Sequence, residues 1–156
     1  MKISDTGPII VLYETSLLPL LKQLYKKVII PDQVKKELLK KPDGQQILKE
    51  PWIEVKQTIK TDVLKILTDL LDEGEAATIS LANETNNPVL LDEKKGRRIA
   101  KSLNLKVQGT LGVLVKAKRQ GLIPSVKDCI LKIISAGYYL DKQLIKGILE
   151  LSNEEE

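Results

Sequence analysis

Short apolar segments alternate with longer amphipathic ones along this chain of 156 residues. The short segments predict strands at 2–4, 28–30, 89–91 and 106–108, while 52–55 is either an edge strand or an irregular connection. Because parallel strands need a helical crossover between them, the alternation predicts an α/β domain with a largely parallel sheet.

The longer segments carry apolar residues at helical spacing. They predict one helix from about Pro8 and further helices over 16–25, 31–41, 61–71, 75–84, 94–103, 110–120, 125–135 and 141–151. Gly121 and Gly137 lie where helix C-caps belong. We therefore predict a single domain over residues 1–151, followed by an acidic tail, 152–156, that is disordered.

The composition excludes several kinds of catalytic site. The chain has no His, so it cannot contain a Ser-His-Asp triad, a His general base or an imidazole-bound zinc ion. Its single Cys129 excludes an intramolecular disulfide and a cysteine-built zinc site, and fits a reducing, cytoplasmic compartment. A metalloenzyme of this composition would use carboxylates and hydroxyls, which select hard ions such as Mg²⁺ or Mn²⁺.

Neither a membrane partner nor a signal peptide is predicted. No apolar stretch approaches the roughly 18–20 residues that a membrane helix needs, and the apolar run at 8–13 ends at Glu14. Aromatic residues are scarce, with one Trp, four Tyr and no Phe. A base-stacking platform of the RNA-recognition-motif kind is therefore not expected.

The net charge of +4 is unevenly distributed. Between Lys94 and Lys127 the chain has ten basic residues and no Asp or Glu, whereas residues 150–156 include four Glu. A basic stretch combined with acidic clusters elsewhere indicates a polyanion that is bound by Lys and Arg. Solvated helix faces would give the same pattern, and charge alone does not separate these two interpretations.

Two carboxylates follow predicted strands directly. Asp5 comes after the strand at 2–4, and Asp92 comes after the strand at 89–91. Ligands of open parallel sheets bind beyond the carboxyl ends of the strands, where both residues would lie. The alternative is that each Asp caps the helix that follows it.

Two further acids lie on predicted helices. Glu37 borders the apolar face of its helix, although it could instead pair on the surface with Lys41, one turn later. Glu75 precedes an uncharged run of mostly small residues, 76–82, which is typical of a buried helix. A buried carboxylate needs a partner or a metal ion, whereas an acid in the first turn is favoured by the helix dipole alone.

A third strand-to-helix connection, Gly109-Thr110, offers a hydroxyl where the other two offer carboxylates. Three strand ends and two helix faces would bring five side chains to one edge of the sheet: Asp5, Glu37, Glu75, Asp92 and Thr110. Carboxylates at close range raise one another's pKa, and one or two divalent ions would remove that conflict. Such ions, bound to a phosphate ester, would activate water and stabilise the departing oxygen without His.

These residues and their spacing resemble the PIN-domain family, and more narrowly a prokaryotic PIN-like subfamily of largely uncharacterised proteins. The resemblance covers essentially the whole chain up to the acidic tail and rests on five segments: 4–10, 31–38, 74–76, 90–98 and 109–124. PIN domains adopt a Rossmann-like three-layer α/β/α sandwich with a mainly parallel sheet. Many are Mg²⁺- or Mn²⁺-dependent ribonucleases, and many of those are toxins of toxin–antitoxin pairs.

The resemblance also assigns roles to residues. Four acids match the catalytic and metal-binding set: Asp5, Glu37, Glu75 and Asp92. Glu93 is implied as an additional metal ligand, and Thr110 lies where a fifth polar group often sits. Two positions depart from the family pattern, because Glu75 stands where many PIN enzymes have Asp and Thr110 replaces an acid found in some members.

The expected reaction is hydrolysis of RNA phosphodiesters by an endoribonuclease that uses metal-activated water. Arg97, Arg98 and Lys101, on the helix after Asp92, are candidates to hold the RNA backbone. A solvated surface role is the alternative for each of them.

The sequence also leads to expectations about protein partners and leaves open a function other than cleavage. The family implies an antitoxin protein and a homodimer, and apolar surface expected at 17–24 and on the terminal helices also predicts self-association. The rival is a PIN-like protein that does not cleave and acts as an RNA-binding or protein-interaction module. A phosphoaspartyl enzyme is excluded, since that pattern needs a second Asp where Gly7 stands.

Overall fold

The structure, a computed structural model, describes residues 1–155. Its sheet has five strands, all parallel, in the order β3-β2-β1-β4-β5. The strands are β1 (Lys2–Ser4), β2 (Val28–Pro31), β3 (Ile53–Lys56), β4 (Val89–Leu90) and β5 (Val107–Gln108). The prediction of an α/β domain with a parallel sheet is confirmed, and the segment after Trp52 is an edge strand.

Ten helices pack around this sheet within residues 1–155. They are α1 (Thr6–Glu14), α2 (Pro19–Tyr25), α3 (Asp32–Leu39), α4 (Gly44–Leu48), α5 (Asp62–Leu70), α6 (Glu73–Thr85), α7 (Lys94–Ser102), α8 (Thr110–Arg119), α9 (Val126–Ser135) and α10 (Lys142–Leu151). None of these helices, which cover all the helical segments of the described chain, is long and apolar enough to cross a membrane.

The helices differ from prediction in two informative places. α1 begins at Thr6, before Pro8, so Asp5 occupies the position immediately preceding the helix. The sequence predicts no α4, because Gly44 indicates a break there. Gly44 instead begins α4 and lies so close to the Leu38 carbonyl of α3 that a side chain would overlap it.

Apolar residues form two layers, one on each face of the sheet. Alternate residues of β2 belong to different layers, because successive side chains of a strand point to opposite faces. Val28 and Ile30 join the layer that includes α1, α2, α8 and α9. Ile29 joins the layer that includes α5, α6 and α7. This arrangement is the three-layer α/β/α sandwich that the family resemblance implies.

The leucine-rich segment 17–24 belongs to the first of these layers. Its first four leucines, which end at Leu21, are each at most 7% exposed. They therefore do not provide the apolar surface expected there for self-association. Exposed apolar side chains are found on the last two helices, including Leu131, Leu144 and Leu151.

Strand order reverses beside β1, since β2 and β3 lie on one side of it and β4 and β5 on the other. Ser4 pairs in register with Leu90, and the N–H of Asp5 donates to the Leu90 carbonyl at 3.0 Å. Such a switch point leaves a crevice at the carboxyl ends of the strands, where ligands of open α/β sheets bind. The residues that follow β1 and β4 therefore lie at this crevice.

The acidic tail differs from the prediction of disorder. Ser152 is buried, and the Glu154 carboxylate lies at the start of α9. It accepts hydrogen bonds from the N–H groups of Val126 and Lys127 at 2.7 and 3.0 Å, and forms a salt bridge with Lys118 at 2.9 Å. The tail is thus part of the fold as far as Glu154. The last residue of the predicted tail lies outside the described residues.

Candidate active site

Asp5 follows β1 directly at the switch point. Its Oδ1 atom is buried without a hydrogen-bond partner, and its side chain makes no capping hydrogen bond to α1. Burial raises the pKa of Asp5 to about 7. Three neighbouring acids act in the same direction: Glu37, Asp72 and Asp92. A carboxylate with one buried, unpartnered oxygen among other acids is unfavourable, so this position favours binding of a proton or a cation.

Asp92 follows β4, and one residue occupies both of its carboxylate oxygens. The Thr110 N–H donates to Oδ1 at 2.7 Å, and the Thr110 hydroxyl donates to Oδ2 at 2.6 Å. Because Thr110 begins α8, these bonds tie together the chain segments that follow β4 and β5. The capping alternative for Asp92 is wrong: Glu93 caps α7, accepting from the first N–H groups of that helix at 3.0 and 2.7 Å.

Glu37 reaches the crevice from α3. Its Oε2 accepts a hydrogen bond of 2.5 Å from the hydroxyl of Thr6, which holds the carboxylate beside the end of β1. Its Oε1 lies against Gly74, where a side-chain carbon would overlap it, so a larger residue there would displace the carboxylate. The alternative pairing with Lys41 is absent from the salt bridges within residues 1–155.

Glu75 lies half-buried in the first turn of α6, near three other acids, Asp72, Asp5 and Glu93. Burial raises the pKa of Glu75 to about 9, and a hydrogen bond with Asp72 that requires the proton adds to the rise. Glu93 behaves in the opposite way, because the N–H groups of Gly96 and Lys95 lower its pKa. The surroundings therefore favour the protonated form of Glu75 and the charged form of Glu93.

The family comparison agrees with an acidic crevice at the switch point of a parallel sheet. A family model described as a PIN domain (DUF3368) matches residues 1–154. The chain belongs to the PIN-domain family. Comparisons with curated proteins and with solved structures gave no match. PIN domains are in general nucleases, hydrolases that cleave phosphodiester bonds, and they typically use divalent metal ions.

The three basic residues predicted to hold RNA have different surroundings in this PIN domain. Arg97 is half-buried, and its Nη1 donates to the carbonyl that precedes Asp92 at 2.9 Å. A side-chain carbon at Gly109 would come within 2.7 Å of both this Nη1 and Asp92 Oδ1, so the guanidinium lies near the carboxylate. Arg97 therefore braces the loop after β4, whereas Arg98 and Lys101 are exposed.

The acids of this PIN domain have the donor chemistry of a hard cation but do not form a ready ligand set. Within residues 1–155, no group of three or more His, Cys, Asp or Glu side chains could hold a metal ion as it stands. The unpartnered oxygen of Asp5 fits a cation, because Mg²⁺ and Mn²⁺ prefer carboxylate oxygens. The other predicted acids would have to turn from their present partners to share that ion.

The sequence prediction omits two residues that lie in this site, Thr6 and Asp72. Asp72 caps α6 by accepting from the Glu75 N–H at 2.8 Å, and its charge acts on Asp5. The sequence does contain a pattern that could have identified Asp72 as the cap of α6, because Asp72 and Glu75 have the three-residue spacing of a capping box. Thr6 gives no comparable signal, since its partner Glu37 is 31 residues away in the chain.

Proposed function

We propose that this PIN domain is a metal-dependent endoribonuclease whose catalytic residues are Asp5, Glu37, Glu75 and Asp92. The observation that carries the proposal is the buried, unpartnered oxygen of Asp5 among other acids at the switch point. Membership of the family supports the nuclease class. The lack of His and the supply of carboxylates support a hard divalent ion, Mg²⁺ or Mn²⁺, as cofactor.

In this proposal Asp5 and Asp92 are the principal metal ligands, and Glu37 and Glu75 complete the site or orient water. When bound, the ion would supply an activated water molecule and stabilise negative charge on the phosphate. Because the pKa values of both Asp5 and Glu75 are raised, binding of the ion would compete with protons at these two carboxyl groups.

Two neighbouring residues position Asp92. Thr110 uses its N–H and hydroxyl to fix the carboxylate plane, and Arg97 holds the preceding carbonyl. Their roles are therefore to orient a ligand, and loss of such an orienting residue typically lowers metal affinity or activity about 10- to 100-fold. Glu93 is the candidate for an additional ligand, and its carboxylate also caps α7 by accepting from the N–H groups of Lys95 and Gly96.

The RNA backbone in this proposal contacts Arg98 and Lys101, which are exposed on α7, the helix that follows Asp92. Phosphate contacts by exposed basic residues position a nucleic acid without reading its sequence. They also make binding weaken steeply with salt. The exposed residues of the basic stretch between Lys94 and Lys127 support such a role.

The rival function is a PIN-like module that binds RNA or protein without cleaving. It is favoured by one observation, the lack of a ready three-acid metal site within residues 1–155. The two functions differ in whether a divalent ion binds at these acids and whether RNA is cut.

Cleavage of total cellular RNA tests the proposal. Wild type is incubated with Mg²⁺ or Mn²⁺, with and without EDTA, beside Asp92→Asn and a control, Asp128→Asn, which changes an exposed Asp on α9. We expect cleavage by wild type and by the control only when metal is present, and none by Asp92→Asn. Equal patterns in every lane would contradict the nuclease and favour the module.

The remaining partners are part of the same proposal. The toxin role and the antitoxin partner rest on the family resemblance, and the cytoplasmic location rests on cysteine usage. A homodimer is supported by exposed apolar side chains on α9 and α10, including Leu131, which is 52% exposed. Light scattering of the purified protein tests the dimer. Growth arrest on induced expression, lost with Asp92→Asn, tests the toxin.

A further inference from the structure

A cavity of about 370 Å³ opens beside Asp92 and Thr110. Its walls are mainly apolar and include Val11 and Leu111, and the connection between α9 and α10 contributes Tyr139. Within residues 1–155, no Lys or Arg lines this cavity. The charged groups in its lining are two acids, Asp92 and Asp141, so the cavity suits a flat, uncharged organic group better than a phosphate. It lies next to the acid that we propose as a metal ligand.

The connection between α9 and α10 is anchored on both sides of Tyr139. Gly137 adopts a φ of 101°, which ends α9 in a conformation that favours glycine. The Tyr138 hydroxyl donates to Glu14 Oε2 at 2.5 Å. Asp141 caps α10, accepting from two N–H groups at 3.1 and 3.2 Å. The backbone that carries Tyr139 is thus held in place, although Tyr139 itself is 86% exposed.

An exposed aromatic ring on an anchored loop at the edge of an apolar cavity is not needed by the core. Aromatic faces stack on unpaired bases, and each such contact contributes roughly 1–3 kcal/mol to binding. The few aromatic residues of this chain exclude a platform for several bases. One Tyr beside a reaction centre is sufficient for one base.

We propose that this cavity binds one nucleobase of single-stranded RNA, stacked on Tyr139, in the nucleotide next to the phosphate at Asp92. The inference rests on the proposed nuclease function and adds a base-binding residue, Tyr139, that lies outside the proposed catalytic acids. A base within a duplex is stacked between its neighbours and cannot enter the cavity. Only an unpaired base would therefore reach Tyr139, which would bind substrate without taking part in the chemical step.

Binding of a short, labelled single-stranded RNA, measured by fluorescence anisotropy in EDTA, separates this site from catalysis. The variants are Tyr139→Ala, Tyr139→Phe and a control, Ile66→Ala, which removes a side chain that is 60% exposed on α5. We expect Tyr139→Ala to weaken binding about 5- to 150-fold, the equivalent of one lost stacking contact. Tyr139→Phe and Ile66→Ala should bind like wild type.

Two comparisons make the test specific to a base. The same sequence as a duplex should bind wild type and Tyr139→Ala equally. A single abasic nucleotide, moved along the single strand, should remove the difference between wild type and Tyr139→Ala at one position. Equal binding of the single strand by wild type and Tyr139→Ala, or an equal loss for duplex, would overturn the inference.

The outcomes distinguish this inference from the proposed function. If Asp92→Asn abolishes cleavage and Tyr139→Ala still binds like wild type, the nuclease stands and the base site is overturned. If no protein cleaves RNA but single-strand binding depends on Tyr139, the base site stands and the nuclease fails.

Discussion

Two carboxylates of this PIN domain have opposite surroundings. Glu154 accepts hydrogen bonds from two N–H groups of α9, from Ser125 and from Lys118. Asp5 has a buried oxygen without a partner and is surrounded by other acids. Burial by itself raises the pKa of both, but the hydrogen bonds lower that of Glu154 to about 2, whereas that of Asp5 rises to about 7.

The difference separates a carboxylate that stabilises the fold from one that the fold tolerates. A satisfied carboxylate at a helix start contributes stability through charged hydrogen bonds and the helix dipole. An unsatisfied one lowers the stability of the metal-free protein and is typical of sites that bind a cation or transfer protons. Substitutions at the two residues should therefore have opposite effects on stability and on activity.

The largest expected effect is on activity at the crevice. Asp5→Asn should lower the rate of metal-dependent RNA cleavage by at least ~100-fold, because loss of a principal ligand should exceed the effect of losing a supporting residue. Initial rates on a fluorescent RNA measure this effect, with Asp128→Asn as the matched control. A rate equal to that of wild type would remove Asp5 from the proposed site.

At the other carboxylate the effect should be on stability. Glu154→Gln removes charged hydrogen bonds and should lower the free energy of unfolding by about 1–3 kcal/mol while leaving cleavage unchanged. Urea denaturation measures the loss. Glu155→Gln, at the exposed neighbouring position, is the control and should leave stability unchanged. A Glu154→Gln protein as stable as wild type would show that the tail is not part of the stabilised fold.

A smaller effect is expected from the residue that orients Asp92. Thr110→Val keeps the shape and the N–H of residue 110 but removes the hydroxyl that donates to Asp92. Supporting residues of metal sites typically contribute about 10- to 100-fold, and we expect the lower end because the N–H remains. The apparent Mn²⁺ affinity in cleavage assays measures it. Thr110→Ser, which keeps a hydroxyl, should recover most of the loss, and failure to do so would argue for a packing role.

The smallest effect is expected on how the stability of the fold depends on pH. Thermal unfolding in EDTA at several pH values measures it for wild type and the two variants. The folded pKa of Asp5, about 7, exceeds its ordinary 3.8, so its proton stabilises the fold below that ordinary value and the contribution is lost as the pH rises through 7. The pKa of Glu75, about 9, is also raised, so the stability of the metal-free protein should fall further as the pH rises toward 9.

The contribution of Glu154 has the opposite sign. Its pKa of about 2 lies below its ordinary 4.5, so its contribution is present above 4.5 and is lost as the pH falls toward 2. In Asp5→Asn, stability should therefore fall less steeply between pH 4 and 7 than in wild type. In Glu154→Gln, stability should fall less steeply as the pH drops from 4.5 toward 2. Unchanged slopes in Asp5→Asn would show that Asp5 is not protonated in the metal-free fold.

The part of the site that local pattern determines could be predicted from the sequence. Strand ends and helix starts are local features, so Asp5 and Asp92 could be assigned to one edge of a parallel sheet. The hydrogen-bond partners could not be assigned, because they depend on packing between distant segments. Thr110 lies 18 residues from Asp92, and only the finished sheet brings the two together.

The tail shows the limit of charge patterning. Four Glu in the last seven residues predict a solvated end, since like charges repel and favour water. Glu154 is bound instead because the start of α9, 28 residues earlier, presents unpaired N–H groups beside Lys118. A contact between one carboxylate and the start of a distant helix cannot be predicted from the composition of the tail.

Calorimetric titration of Mn²⁺ into wild type, Asp5→Asn and Asp128→Asn tests the central claim most directly, because it measures cation binding at the crevice without RNA. We predict that wild type and Asp128→Asn bind Mn²⁺ with the same affinity and that Asp5→Asn binds it at least ~100-fold more weakly. Identical isotherms for all three proteins, or no binding by wild type, would contradict a metal site at Asp5.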